Sequence, residues 1–429
     1  LKTLHLTNCW HASSGGVGTF YKALFEAAER EGHLMRLIVP GESTTVEKVG
    51  RFGLIYQIEA PRAPLNPDYR LVLPHRYLFP RTALQRIINR EQPDLIEISD
   101  KYTVPYLGGL LRTRRLPGVS VRPTVIGLSH ERMDENAAAY ISVKPAVQRF
   151  CEWYMKWAYF PMFDHHVTIS EHTAEELIRA SRGHKVRRGI WVAPMGVDCD
   201  RFHPARRSSD VRRELLQISG GDEHTTLLLY AGRLAPEKNL ELLIETAARL
   251  DASATRLLIF GSGIQQQHLQ RECADRGLRH VVFGGHVADR NKLADYFANS
   301  DIFVHPNAHE PFGIAPLEAM ASGLPLIAPN AGGVTSYANA SNAWLAEPTA
   351  KAFAHKIELL QADPAARLQK AHVARQTAEA HSWDRITSRY LQLYRELHAA
   401  TVGERPTETI AAYCYSTPGD ARGRELARF

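Results

Sequence analysis

The sequence predicts an α/β protein built as two Rossmann-like, doubly wound domains. Three observations predict it. Short apolar runs alternate with helical patterns from end to end, each half of the chain holds several such runs, and a polar stretch broken by proline and glycine separates the halves. At 429 residues, 44% apolar and 23% charged, the chain has the length and composition for two sizeable cores.

In chain order, TLHLT (3–7) is the first strand and runs into the glycine-rich turn SSGGVGTF (13–20). The helical stretch TFYKALFEAAEREG (19–32) and the strand MRLIVPG (35–41) follow. DLIEIS (94–99), TVIGLSH (124–130), HHVTIS (165–170) and GIWVAPMG (189–196) complete the first set of strands. The second set is TLLLYAGR (226–233), RLLIFGSG (256–263), HVVFGG (280–285), DIFVHP (301–306) and PLIAPN (325–330). Between the sets, 197–225 is charged and carries Pro204, Gly220 and Gly221, as a connection between domains would. Near the end, SWDRITSRYLQLYRELHAA (382–400) sets Trp383, Ile386, Tyr390, Leu393 and Leu397 on one helical face. The stretch 401–429 has little periodicity and reads as a loosely docked tail. The expected domains are 1–200 and 201–382.

No uncharged apolar run reaches the roughly 18 residues of a membrane-spanning helix, and LKTLHLTNCW reads as a strand, not a secretory leader. Cys9, Cys151, Cys199, Cys273 and Cys414 are scattered without C-x-x-C or metal-type spacing, which suits free thiols in a reducing cytoplasm. A net charge of +6 and a pI near 9.0 fit an anionic partner, whether a nucleotide, an anionic lipid surface or nucleic acid; an unpartnered basic surface fits equally.

The chemistry concentrates in HEPFGIAPLEAMASGLP (309–325). Pro311, Phe312 and Gly313 keep Glu310 in a loop, while Pro316 suits the first position of a helix that carries Glu318. The free N–H groups of a helix start attract phosphate, and Gly313 lets the backbone come close. Carboxylates accept hydrogen bonds from vicinal hydroxyls. A nucleoside diphosphate-sugar meets these demands together, with the diphosphate over the helix start, the sugar at Glu310 and the ribose at Glu318. Two solvated acids on a strand–loop–helix unit are the plainer reading. AGRLAPEKNLELL (231–243) adds Arg233 at a strand end and Lys238 just before a helix, where both could converge on phosphate above the second sheet. SSGGVGTF (13–20) permits phosphate approach but lacks the G-x-G-x-x-G spacing, and tight packing explains it as readily.

Taken together, GGVGTF, GH (32–33), MGVDCDRFHP (195–204), AGRLAPEKNLELLI, FGGHV, EPFGIAPLEAMASGLPLIAP and SWDRITSRYLQLY resemble the GT-B retaining glycosyltransferases of family GT4, the glycosyl transferases group 1. The resemblance spans the chain to about residue 400. It implies two Rossmann-like domains facing a deep cleft, an N-terminal acceptor domain and a C-terminal donor domain, with the helix at 383–400 returning to the former. By the same resemblance, Arg233 and Lys238 bind the diphosphate, Glu318 the ribose and Glu310 the sugar hydroxyls. The backbone of Gly313, Ile314 and Ala315 assists, and Gly16 closes over the phosphates. His130, in GLSHERMDE (127–135), matches a family histidine near the donor sugar and acceptor. No divalent metal and no cofactor are implied.

The chain departs from the family in two places. Pro-Glu after the paired glycines is replaced by Val334-Thr335-Ser336, so that glutamate's contacts do not transfer. IEISDKYTVPY (96–106) lacks the usual histidines, so Asp100, Lys101 and Tyr102 could shape an unusual acceptor pocket or form a local loop. His11, His165 and His166 are read as structural. In AVQRFCEWYMKWAYFPMF (146–163), Trp153, Trp157 and Phe160 are expected on one helix face. The favoured reading is a core helix, and the other is a bilayer-facing one aided by Arg112, Arg114 and Arg115.

The expected function is transfer, without a metal, of a hexosyl unit from a UDP- or GDP-sugar, UDP first, to a hydroxyl of a sugar, lipid-linked or small-molecule acceptor. Nucleic acid is not an expected partner, and the expected place is the cytoplasm, peripheral to the inner face of the membrane at most. The rivals are a sugar-nucleotide epimerase and a non-catalytic sugar-nucleotide sensor.

Overall fold

The computed structural model describes residues 1–10, 15–63, 69–184 and 189–403. His11, Cys414, the opening serines of the glycine-rich turn and the tail from 404 onward lie outside the described residues. The chain divides into two units, one comprising Leu1–Pro194 and the chain from Asp384 onward, the other Met195–Trp383.

The first unit is built on an eight-stranded sheet of β1 (Lys2–Thr7), β2 (Leu34–Gly41), β3 (Thr45–Val49), β4 (Gly53–Glu59), β5 (Leu95–Ser99), β6 (Thr124–Ser129), β7 (His165–Thr168) and β8 (Ile190–Val192). The order is β3-β4-β2-β1-β5-β6-β7-β8, parallel throughout except for β3 against β4. The edge pair at 45–59 has no counterpart in the sequence reading: TVEKV is charged and exposed, so it shows no apolar run. The central strands are buried on both faces, as in a sheet covered on both sides. Leu4, Leu6, Ile96, Ile98 and Val125 are fully buried.

The late helix, Trp383–Val402, docks on this unit and buries Ile386, Tyr390, Leu393 and Leu397. Its polar contacts are specific. The Tyr390 hydroxyl donates to the Ala193 carbonyl at 2.6 Å, His398 Nδ1 lies 3.0 Å from Thr124 Oγ1, and the Tyr394 hydroxyl donates to Glu97. Glu97 is fully buried and also accepts from His5 Nδ1 and the Tyr21 hydroxyl, each at 3.0 Å. Three donors allow a carboxylate to remain in an interior that otherwise disfavours it. His165 and His166 are held within the unit, by Thr401 Oγ1 at 3.0 Å and the Phe160 carbonyl at 3.1 Å.

In this unit one open alternative is settled and one expectation fails. Asp100 and Lys101 form the local loop, with Tyr102 exposed beside them. Asp100 Oδ2 caps the following turn through the N–H groups of Tyr102, Thr103 and Val104, and Lys101 is buried against Glu176 and the Glu131 carbonyl. The aromatic stretch is not a core helix. The α-helix Pro145–Tyr154 passes into a π-turn, Met155–Tyr159, and then a 3₁₀ turn, Phe160–Met162. The wider π-turn changes the helical phase, so Phe160 enters the core (1% exposed) while Trp153 and Trp157 stay outside (55% each).

The second unit is a six-stranded, all-parallel sheet of β9 (Thr226–Ala231), β10 (Thr255–Phe260), β11 (Val281–Gly285), β12 (Ile302–Val304), β13 (Leu326–Pro329) and β14 (Trp344–Ala346), ordered β11-β10-β9-β12-β13-β14. The stretch 197–225 is no free connection but folds as part of this unit. It contains the helix Ser209–Ser219, which ends on left-handed Gly220 and ties to the sheet through Arg212–Asp301 at 2.8 Å. In each sheet the strand order reverses once, between β1 and β5 and between β9 and β12. Ligands of open α/β sheets bind outside the carboxyl ends of the strands at such reversals.

Candidate active site

Arg233 and Lys238 follow β9, and Glu310 and the helix Ile314–Ala321 follow β12, so they flank the reversal in the second sheet. The Glu310 loop is clamped from behind. Gly333 donates its N–H to the Glu310 carbonyl at 2.6 Å, and a Cβ on Gly333 would lie 2.0 Å from the Pro311 carbonyl oxygen. Only glycine fits there. Gly313, at φ 92, turns the chain into the helix, and the Tyr337 hydroxyl donates to its carbonyl. The helix begins at Ile314, two residues before the proline expected to open it. Pro316 is tolerated because a first-turn N–H has no partner within the helix. No side chain caps this start, and Ile314 and Ala315 are partly exposed, so their N–H groups are available to an anion.

Lys238 Nζ donates to Glu310 Oε2 at 2.7 Å, and Asn307 Nδ2 donates to the same oxygen at 3.0 Å. His305 Nε2 lies 3.9 Å away, too far to hydrogen-bond; among the described residues this buried nitrogen has no partner. Burial raises the Glu310 carboxyl, but the Lys238 charge, the nearby His305 and the hydrogen bonds from Lys238 and Asn307 together outweigh burial and hold it at about 2. Burial, with Lys238 acting in the same direction, brings His305 down to about 4. At neutral pH the cluster is therefore an ionised carboxylate, a cationic ammonium and a neutral imidazole.

Arg233 is exposed and pairs with Glu237 at 2.9 Å, so the two cations rest on different carboxylates and do not share one partner. Both pairs nevertheless border β9. Burial raises the Tyr230 phenol, the charges of Glu310 and Glu237 push it further up, and Arg233 opposes them, so all three act on one side chain. Glu318 is buried and takes a hydrogen bond from Arg290, which lies 5.0 Å from the centre of the Phe202 ring. Burial raises the Glu318 carboxyl and Arg290 opposes the rise, the reverse of the balance at Glu310.

In the first unit, Gly16 is the first residue of the helix Gly16–Glu31, whose start no side chain caps. Among the described residues, a Cβ on the preceding Gly15 would meet no atom within 4 Å, so their packing does not demand glycine there. The glycines of GSG are different: Cβ atoms on Gly261 and Gly263 would strike the carbonyls of Gly232 and Leu234, at 1.8 and 2.2 Å. His130 follows β6, with Nδ1 3.0 Å from Ser99 Oγ and Nε2 3.8 Å from Cys9 Sγ. Burial lowers its pKa, leaving a neutral ring at pH 7. Sequence reasoning missed His305, Asn307, Arg290 and Tyr337. For the first two a signal existed, the polar tail of IFVHPN immediately before Glu310.

Comparison with known proteins decides the family. The model described as Glycosyltransferase Family 4 matches residues 14–201, and that described as Glycosyl transferases group 1 matches 211–380. A GDP-mannose-dependent alpha-mannosyltransferase of Mycobacterium tuberculosis is 30% identical over 400 residues, covering 92% of this chain and 95% of the relative. The chain belongs to glycosyltransferase family 4. Another relative of this family 4 glycosyltransferase is the GDP-mannose-dependent alpha-(1-6)-phosphatidylinositol dimannoside mannosyltransferase of M. tuberculosis, 29% identical over 91% of this chain and 95% of its own. In fold, it is similar to the sucrose-phosphate synthase of Thermosynechococcus elongatus (TM-score 0.72, 21% identity, covering 93% of this chain and 100% of that one), a protein of the GT-B architecture.

Proposed function

We propose that this glycosyltransferase is a retaining α-mannosyltransferase that moves mannose from GDP-mannose to a hydroxyl of a lipid-linked acceptor, without a metal. The observation that carries the reading is the Lys238–Glu310 pair set before an uncapped helix start at the sheet reversal. The donor is read from the names of both mycobacterial relatives and the lipid-linked acceptor from the name of one, which supports GDP over UDP. Relatives that are mannosyltransferases do not favour the epimerase or the sensor.

In the reaction, the bond from the anomeric carbon to the diphosphate oxygen breaks, and a bond to the acceptor oxygen forms on the same face. The acceptor's proton passes to the departing diphosphate. Arg233, Lys238 and the N–H groups of Ile314 and Ala315 stabilise the charge that develops on the leaving group. Glu310 accepts from mannose hydroxyls and Glu318 from those of the ribose. Gly16 admits phosphate close to the backbone, and neutral His130 hydrogen-bonds a substrate hydroxyl. Among the described residues no helix is long and apolar enough to cross a membrane. A lipid acceptor therefore implies work at a membrane surface, on the cytoplasmic side where nucleotide-sugars are made.

The test is incubation with GDP-mannose or UDP-glucose and phosphatidylinositol mannosides, with and without chelator. Transfer of α-mannose from GDP-mannose in both conditions is expected. Transfer from UDP-glucose alone, inversion at the anomeric carbon, or abolition by chelator would each overturn its part of the reading.

A further inference from the structure

We infer that an aromatic and basic ridge over residues 141–157 is the surface on which this protein rests against an anionic phospholipid bilayer. The inference deepens the lipid-acceptor reading, but its test needs neither donor nor acceptor.

The helices Met133–Tyr140 and Pro145–Tyr154 pack against each other in the first unit, in the segment that leaves β6 at His130. The inner side of the second helix and its π-turn is buried through Cys151, Tyr154, Met155 and Tyr159. That side secures the hairpin. The outer side is not needed for the core, yet it exposes Ile141 (74%), Val143 (77%), Phe150, Trp153 and Trp157 (55% each). Single exposed apolar residues are ordinary, but a run of large ones on one short hairpin marks an interaction site. Phe150 and Trp153 stack with centroids 6.0 Å apart, forming one apolar surface.

Charge selects the occupant. Exposed Lys144 and Arg149 flank the aromatics, and Lys156 Nζ lies 5.1 Å from the Trp157 ring centre. The neighbouring turn adds exposed Arg182, since a Cβ on Gly183 would lie 3.5 Å from Lys156 Nζ. Glu152 is the single acid between 141 and 157. Tryptophan interleaved with cations fits the headgroup region of an anionic bilayer, where the rings enter the interface and the cations meet phosphate. A second copy docking through the same ridge would set these cations against their own kind.

The test is co-sedimentation of the full chain with vesicles of phosphatidylcholine alone or of an equimolar mixture with phosphatidylglycerol. Binding to the mixed vesicles, weakened by salt and far weaker on the neutral ones, is expected. Phe150→Ser/Trp153→Ser/Trp157→Ser should lower partitioning at least about tenfold. Lys144→Glu/Arg149→Glu, on exposed positions, should lower it by about fivefold or more per lost cation and keeps the test open if the triple variant fails to fold. Wild-type protein left in the supernatant of both vesicles would overturn the inference. So would variants that sediment like wild type, or a wild-type dimer that the triple variant abolishes. Vesicle binding without any affinity for GDP-mannose would sink the GDP-mannose reading and leave the ridge standing.

Discussion

Replacing Lys238 with methionine removes the charge beneath Glu310 and changes little in volume. In the native protein the ammonium lies 2.7 Å from Glu310 Oε2, with the two side chains only 16% and 13% exposed. A carboxyl held at about 2 instead of its ordinary 4.5 favours ionisation by roughly 3 kcal/mol. Without the cation, the carboxylate keeps only Asn307 and a neutral imidazole, and breaking such a pair costs about 3–5 kcal/mol at pH 7. The sign with pH follows. Because Glu310 is depressed in the folded state, its stabilisation is present above pH 4.5 and is lost as pH falls toward 2. Lys238→Met should therefore lag wild type most at neutral pH and approach it in acid. Lys238→Met/Glu310→Gln should recover about half the lost stability, since no unpaired charge remains buried. It should recover no activity, because turnover needs the cation and falls by about 10²-fold or more. Urea unfolding followed by tryptophan fluorescence, alongside mannosyl transfer, reads both effects. Strictly additive stability losses, or near-normal turnover of Lys238→Met, would refute the reasoning.

Arg233→Ala should cut turnover by about 10²-fold with little effect on the unfolding midpoint, since Arg233 is itself exposed; unchanged kinetics would remove it from leaving-group stabilisation. His130 is neutral because burial lowers it, so the acid limb of kcat/KM assigned to it should lie below pH 6.5 and vanish in His130→Gln; a limb above 7 would contradict this. Tyr394→Phe removes a donor from buried Glu97 and should cost about 1.5–3 kcal/mol at pH 7. Burial raises Glu97, but its partners outweigh burial and leave it depressed. The stabilisation at stake is present above pH 4.5 and shrinks as pH falls further, so the gap between Tyr394→Phe and wild type should narrow in acid.

Much of the architecture could be read from the chain because buried parallel strands are rich in apolar residues. TLLLYA announces itself by composition, and LIEIS does so despite the buried Glu97 within it. TVEKV does not, since an exposed antiparallel edge needs charge more than apolarity. The Glu310 loop and its helix were legible from proline and glycine placement, but not the clamp behind them, because Gly333 and Tyr337 reach the loop only through the fold. The exposed tryptophans were misread for a local reason: a π-turn shifts helical phase, and nothing in EWYMKWAYF signals one. Nor could sequence show that Arg233 rests on Glu237 while Lys238 rests on Glu310, since both acids lie within plausible reach of either cation.

The most direct measurement is calorimetric titration of GDP-mannose into the protein and its Glu310→Gln and Lys238→Met variants. Saturable one-to-one binding to wild type, weakened in both variants while their folds persist, is the predicted result. Binding that is absent from wild type, or equally tight in all three, would contradict a diphosphate-sugar site built on this pair and the helix that follows it.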